Sequence, residues 1–402
     1  MNELSCDVLV VGAGPVGSFT ARKIAEKGYK VILAEEHEKI GEPAHCTGLV
    51  TPRVLEIAGI GREVIQSEIY GADIHSPDGT ILPVRGKRIE AFSIDRIAFD
   101  RTLCEMAANA GAEILTGTRI SDCIRKNGKV SATAKPGEEK RDITAKLVIG
   151  ADGAFSAVRR SAMIREPTEL LYGYQAEFEG VELDESKVDV FLGNGIAPGF
   201  FAWVVPAGKG KARAGLCTTS QKPTAGQYFE SFVSRPEVRQ LLKDGKISRK
   251  MAGVVSLGAP KKTHSNNLMI VGDAAAQVKP TSGGGLYTGL VSSAECAKTA
   301  IEALKADNFT ENFLARYNMR WRQEIGKELA IGGYFRTGFR GMRDSTMNKI
   351  FEKLNDQETL EIISEYGDID YPSKVGKEVL KKKPGLVWQA PLVLWDILGS
   401  RL

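Results

Sequence analysis

Gly12-Ala13-Gly14-Pro15-Val16-Gly17 follows directly on the apolar run Val8-Leu9-Val10-Val11. The spacing predicts a buried parallel strand over 6–11, a helix over 15–27 closed by Gly28, and a second strand over 30–34 ending at Glu35-Glu36, which is a βαβ unit. In that setting each glycine has a mechanical task. Gly12 permits the tight turn, Gly14 lets backbone approach a pyrophosphate, and Gly17 lets helix and strand pack closely. Pro15 and Val16 open the helix, whose N-terminus offers free N–H groups and a partial positive charge. Glu35 stands where a carboxylate binds ribose hydroxyls and repels a 2′-phosphate, which favours FAD or NAD over NADP.

A second glycine segment lies near the other end of the chain. Gly272-Asp273-Ala274-Ala275 follows the apolar residues 268–271. A nicotinamide enzyme needs only the first segment, whereas a flavoprotein that grips both ends of FAD needs both. Between them, Gly150-Ala151-Asp152-Gly153 follows another apolar strand, with Ser156 and Arg159-Arg160 behind it. It reads as a further phosphate-proximal loop, with Asp152 as the cofactor-facing residue.

The bulk of the chain narrows the function classes. With 402 residues, 43% apolar and 26% charged, it has the composition of an ordinary globular enzyme with more than one domain. A net charge of +4 gives no nucleic-acid footprint. None of the six cysteines forms a Cys-x-x-Cys pair, so neither a zinc ribbon nor an iron–sulfur site is expected, and no metal. A strand that begins almost at once leaves no secretion signal, and no apolar run is long enough to span a membrane, so a cytoplasmic location is expected.

The pattern predicts an α/β fold: a Rossmann-type FAD-binding domain over 1–168 and 256–308, an inserted antiparallel β-sheet substrate domain over 169–255, and a helical C-terminal region over 309–402. Strands are expected at 172–178, 188–191, 202–205 and 212–217 within the insertion. Pro77-Asp78-Gly79 marks a hairpin, and Asn127-Gly128 joins two strands within 120–134.

The three glycine segments together resemble the FAD-dependent group that includes aromatic hydroxylases, flavin halogenases and geranylgeranyl reductases. That resemblance implies a place for each segment. Asp273, after Gly272, would bind the ribitol chain of FAD. The run Pro280-Thr281-Ser282-Gly283-Gly284-Gly285 would bring backbone N–H groups to the flavin, with Gly284, Gly285 and Leu286 opening a helix. In Asp95-Arg96-x-x-Phe99-Asp100, Arg96 would face the cofactor and Asp100 would be a helix-side charge. Strand backbone near Ile120 would meet the adenine edge.

Two further segments resemble geranylgeranyl reductases in particular, the archaeal digeranylgeranylglycerophospholipid reductases above all. Pro43-Ala44-His45-Cys46-Thr47-Gly48 is similar to their Pro-x-x-Cys motif. Phe201-Ala202-Trp203-Val204-Val205-Pro206 is similar to their aromatic-x-Trp-x-Phe-Pro motif, with Val205 in place of Phe. The resemblance places Cys46, Thr47 and Gly48 at the flavin and makes Cys46 and Trp203 candidate catalytic residues. Phe200, Phe201, Trp203 and Val205 would wall an apolar substrate pocket. Tyr172 and Tyr174 are further acid candidates.

The implied chemistry is hydride transfer from reduced FAD to a prenyl double bond of an isoprenoid lipid precursor. Electrons would come from an external donor, a ferredoxin, a reduced flavin or NAD(P)H, because there is no second dinucleotide fingerprint. Lys209, Lys211 and Arg213, or Lys261-Lys262, would dock an acidic carrier. Lys381-Lys382-Lys383 followed by Leu386-Val387-Trp388 and the apolar 392–398 suits peripheral contact with the inner face of the cell membrane, or a terminal helix packed on its own domain. A flavin monooxygenase or halogenase acting on an aromatic substrate competes with this reading, as does a flavin electron carrier with no small-molecule substrate.

Overall fold

The computed structural model describes residues 4–137 and 141–382. Its first sheet runs in the order 264–265, 268–270, 141–150, 4–11, 31–34, 113–115, with 129–136 and 118–126 joining as an antiparallel ribbon on 141–150. Strand Leu4–Val11 lies parallel to both Arg141–Gly150 and Val31–Ala34, and Arg141–Gly150 lies parallel to Leu268–Ile270. All four therefore end on one edge, and the three glycine segments leave the sheet side by side. An α/β sheet binds its ligand in the crevice at such an edge.

Helix Pro15–Ala25 ends two residues earlier than its periodicity predicts, with Gly28 at φ +80° turning the chain back. It packs with the Leu286–Ala306 and Arg96–Asn109 helices over one face of the sheet. Helix Glu311–Trp321 joins the same core through the fully buried Leu314, Tyr317 and Trp321. Tyr317 donates to Ile270 O at 2.9 Å, and Trp321 Nε1 to Thr263 at 3.1 Å. The dinucleotide-binding unit thus extends past the expected end at 308, because two large aromatics of that helix complete its core.

The second sheet has seven strands in the order 246–257, 169–179, 211–218, 201–206, 187–192, 71–75, 81–85. The four strands expected at 172–217 are all present. The outer two come from within the segment assigned to the first domain, and strand Lys187–Leu192 pairs with Gly71–His75 in parallel. A parallel pairing between segments so far apart leaves no local trace in the sequence, so the insertion over 169–255 does not enclose the whole sheet. Helices Ala225–Val233 and Pro236–Leu241, which strand alternation alone does not predict, cover one face with Phe229, Phe232 and Val238. The other face looks toward the dinucleotide-binding unit. A small sheet of 49–50, 91–94 and 65–69 bridges the two.

The C-terminal part is helical as expected: Lys327–Gly341, Asp344–Leu354, Gln357–Tyr366 and Ser373–Lys382. Among the described residues no helix is long and apolar enough to cross a membrane, and no group of three His, Cys, Asp or Glu could hold a metal. Most of the tail singled out for membrane contact, from Lys383 on, lies outside the described residues.

Candidate active site

The first glycine turn is closed by contact. A Cβ at Gly12, which has φ +97°, would lie 2.4 Å from Ala151 O, and one at Gly17 would lie 1.9 Å from Gly12 O. Gly14 is different: a Cβ there meets nothing within 4 Å. Space therefore stands open in front of the Pro15–Ala25 helix, whose N-terminus has no side-chain cap. Uncapped amides at a helix start favour an anion. Ala13 N donates to Glu35 Oε2 at 2.8 Å, and His37 N and Nδ1 hold Glu35 Oε1. Thr118 N donates to Glu35 O at 2.7 Å, which sets the start of the Ile120 strand beside that carboxylate, while the Ile120 side chain is core.

The Asp152 carboxylate is committed within its own loop. It accepts from Ala157 N and Val158 N at 2.7 and 3.2 Å and from the Ser156 hydroxyl, so it holds the start of a short helix. Arg159 is likewise structural: buried, it donates to Ala154 O and Ala274 O and ties this loop to the second glycine segment.

That second segment meets the first. Val16 lies between Gly272 and Gly289: a Cβ on Gly272 would come within 3.0 Å of Val16 Cγ1, and one on Gly289 within 2.6 Å of Val16 Cγ2. The Asp273 carboxylate, 2.9 Å from where a Gly285 Cβ would stand, makes no hydrogen bond among the described residues. Burial pushes its pKa up to about 6, against the pull of Arg96. A half-buried, uncommitted carboxylate beside an open glycine turn suits a polyol chain. Residues 281–286 are half-buried around this opening, the 279–284 turn is closed by its own backbone bonds, and Pro280 rests on Gly332. The structure thus fits FAD at both ends: free amides and Glu35 at one, Asp273 and the glycine turn at the other.

Arg96 is half-buried and paired with Asp100 through Nε and one terminal nitrogen, each at 3.1 Å, so Asp100 is its counter-ion and not the helix-side charge expected. The Cys46 sulfur accepts from Gly48 N at 3.4 Å. Position 48 needs glycine, since its φ is +76° and a Cβ would meet Ile94 O at 2.6 Å.

Across the cleft, strand Phe201–Pro206 turns Ala202 and Val204 to the helix-covered face, and Phe201, Trp203 and Val205 to the other. Phe200 stacks on Phe201 with centroids 4.3 Å apart, and Trp203 meets Phe201 edge-on at 6.1 Å. Leu171, Cys217, Val255 and Val278 complete this apolar wall. Val205 does not line open space. It is sealed by Ile69, Ala91 and Val188, because the bridging sheet packs over that end of the strand.

One residue of the site carries no motif. Gln175 is buried, and its Oε1 accepts from Trp203 Nε1 at 3.3 Å and from the Thr47 hydroxyl at 3.0 Å. An indole N–H only donates, which fixes the amide's orientation. The alternation of 169–179 carries a signal for Gln175, since Leu171 and Gln175 share one face. Tyr172 and Tyr174 lie on the opposite face, Tyr174 against Phe229, so neither reaches the cleft. Arg213 is no docking residue either. Only 5% exposed, it donates to Thr47 O, Ile94 O, Gln66 and Glu177 and clamps the Cys46 loop to the sheet. Lys211 and Lys262 pair with Glu179 and Glu311.

The site therefore joins Cys46, Thr47, Gln175, Arg96 and Trp203 around a cleft with one apolar wall. Residues 5–326 match the family model described as an FAD binding domain. The chain is 31% identical over 392 residues to digeranylgeranylglycerophospholipid reductase 2 of Methanopyrus kandleri, covering 95% of this chain and 97% of that protein. It is 34% identical over 409 residues to the digeranylgeranylglycerophospholipid reductase of Methanosphaerula palustris, covering 98% and 99%. A geranylgeranyl bacteriochlorophyll reductase-like protein from Thermoplasma acidophilum has a similar structure, with a TM-score of 0.85 at 26% identity, covering 98% of this chain and all of that one. The flavin-dependent brominase Bmp2, with a TM-score of 0.70 at 15% identity over 95% of this chain and 100% of that one, shares the fold.

Proposed function

The chain belongs to the geranylgeranyl reductase family of FAD-dependent oxidoreductases, and from that membership we propose that it saturates the prenyl chains of an archaeal-type digeranylgeranyl glycerophospholipid precursor. The observation that carries the reading is the apolar wall of Leu171, Phe201, Trp203 and Val255 facing the flavin-end turn, with the Thr47 hydroxyl and the Gln175 carboxamide beside it. An isolated carbon–carbon double bond offers nothing to polar binding groups, so it has to be placed by shape and kept dry.

When bound and reduced, FAD supplies the hydride that one alkene carbon accepts. The amides before Pro15–Ala25 hold its pyrophosphate, Glu35 its ribose, Asp273 its ribitol, and the 280–285 turn its ring. Phe201 and Trp203 align the prenyl chain and exclude water, Gln175 holds the Trp203 indole by its N–H, and Cys46 provides the proton for the second carbon. Gly48 N keeps the Cys46 sulfur in place. The electrons come from an external ferredoxin, reduced flavin or NAD(P)H, and the lipid is taken at the bilayer face.

Anaerobic photoreduction of the FAD-loaded protein tests this. Addition of a lipid with unsaturated C20 chains is expected to reoxidise the flavin and to add two hydrogens per double bond, read by mass spectrometry. A flavin that stays reduced in the presence of that lipid overturns the reading.

A further inference from the structure

The Lys327–Gly341 helix has two working faces. Its inner face meets the site: Gly332 packs on Pro280 of the flavin-end turn, and buried Arg336 donates to Gly199 O and lies 4.9 Å over the Phe200 ring. Its outer face is apolar and, among the described residues, only partly covered. Ile331, Tyr334 and Phe335 share it at helical spacing, with Tyr334 80% and Phe335 51% exposed. Phe335 lies over Gly376 of the Ser373–Lys382 helix, where a Cβ would sit 3.6 Å from its ring, and Leu380, 43% exposed, extends the strip. Lys327, Lys377 and Lys381 flank this groove, and Lys382 follows Lys381 at the end of the helix. Lys381 pairs with Glu378 and Lys374 with Asp368, while Lys327, Lys377 and Lys382 have no ion pair among the described residues.

We propose that this lysine-rimmed aromatic groove seats the protein on the surface of an anionic lipid bilayer. Two aromatics and a leucine are what an interface accepts from a helix lying in its plane, and lysines at the rim are what phosphate headgroups attract. Charge selects this occupant over the chain's own tail. Residues 383–402 carry Lys383 and Arg401 against a single acid, Asp396, and so do not neutralise a basic rim. The arrangement also has a use. One helix thickness, about 10 Å, separates the docked face from the wall formed by Phe200 and the 280–285 turn. Lipid leaving the bilayer here is already at the pocket. The choice of a lipid partner rests on the proposed lipid-reductase function; the groove does not.

The test is flotation of the FAD-loaded, full-length protein with vesicles of phosphatidylcholine alone or with about one-third phosphatidylglycerol. The protein is expected to float with the anionic vesicles at low salt. Tyr334→Ser/Phe335→Ser together should reduce the bound fraction by about tenfold, and Lys327→Gln/Lys377→Gln/Lys382→Gln should remove the salt-sensitive part. Unchanged FAD absorbance and melting temperature show that the variants are folded, and turnover of detergent-dispersed lipid is expected to persist in them. Wild-type protein that stays at the bottom of the gradient, or a double aromatic variant that floats like wild type, overturns the proposal. So does binding that is lost only when 383–402 are deleted, which assigns the contact to the tail. Flotation without turnover overturns the lipid-reductase reading and leaves the surface standing.

Discussion

The Asp273 carboxylate sits where burial disfavours its charge. Its raised pKa of about 6 means that ionisation is resisted by the fold. Below about pH 4 folded and unfolded chains both carry the proton and no penalty exists; above about pH 6 the folded chain bears all of it. Asp273→Asn is therefore expected to stabilise the FAD-stripped protein at neutral pH by up to about 3 kcal/mol, with the gain vanishing near pH 4. Urea unfolding across that pH range checks this. The same variant should release FAD more readily, because an amide replaces the uncommitted carboxylate. Residues such as Asp273, Gly12 and Gly17 are legible in the sequence because a backbone turn or a lone carboxylate after a glycine leaves few alternatives. Gln175 is not, because its meaning depends on Trp203 and Thr47, which arrive from another strand and from a loop. Asp152 misleads for the converse reason: a carboxylate beside a glycine turn suits a helix start as well as a cofactor.

At the scale of elements, the deciding contact is between two helices. Val16, in the first turn of Pro15–Ala25, fills the gap left by Gly289 of Leu286–Ala306 and by Gly272. Gly289→Ala puts a methyl 2.6 Å from Val16 Cγ2 and forces the helices apart. Overpacking of this kind costs about 1–3 kcal/mol, and because both helices frame the cofactor crevice, FAD affinity is expected to fall about tenfold, measured by flavin fluorescence titration. Strands with clean alternation were legible, Phe201–Pro206 among them. The Gly71–His75 and Ile81–Arg85 strands were legible as a hairpin, but not their sheet, since pairing between distant segments is decided by the rest of the molecule. Tyr172 and Tyr174 failed as acid candidates because strand parity turns them toward the Ala225–Val233 helix.

Across the whole molecule, the C-terminal part returns to the site. Asp370 is buried between Lys279, at 2.8 Å, and Thr51, at 2.6 Å, while Asp368 holds Arg53 through two bonds and the Tyr371 and Tyr287 hydroxyls meet at 2.7 Å. This strap ties the flavin-end turn to the segment after Cys46, so the helical region is not an appendage. Asp370→Asn strands the Lys279 ammonium in a low-dielectric setting and is expected to cost about 3–5 kcal/mol, seen as a lowered denaturation midpoint. Nothing in the residues 368–371 announces this, because a buried ion pair and a solvated one are spelled alike. The Val16 wedge has one more consequence, in the order of synthesis. The first fingerprint leaves the ribosome long before Gly289, so the nascent chain carries a half-built crevice until the Leu286–Ala306 helix emerges. Cofactor capture therefore comes late in translation, and a chain stopped within the substrate sheet is a flavin-free product for quality control, its apolar wall uncovered.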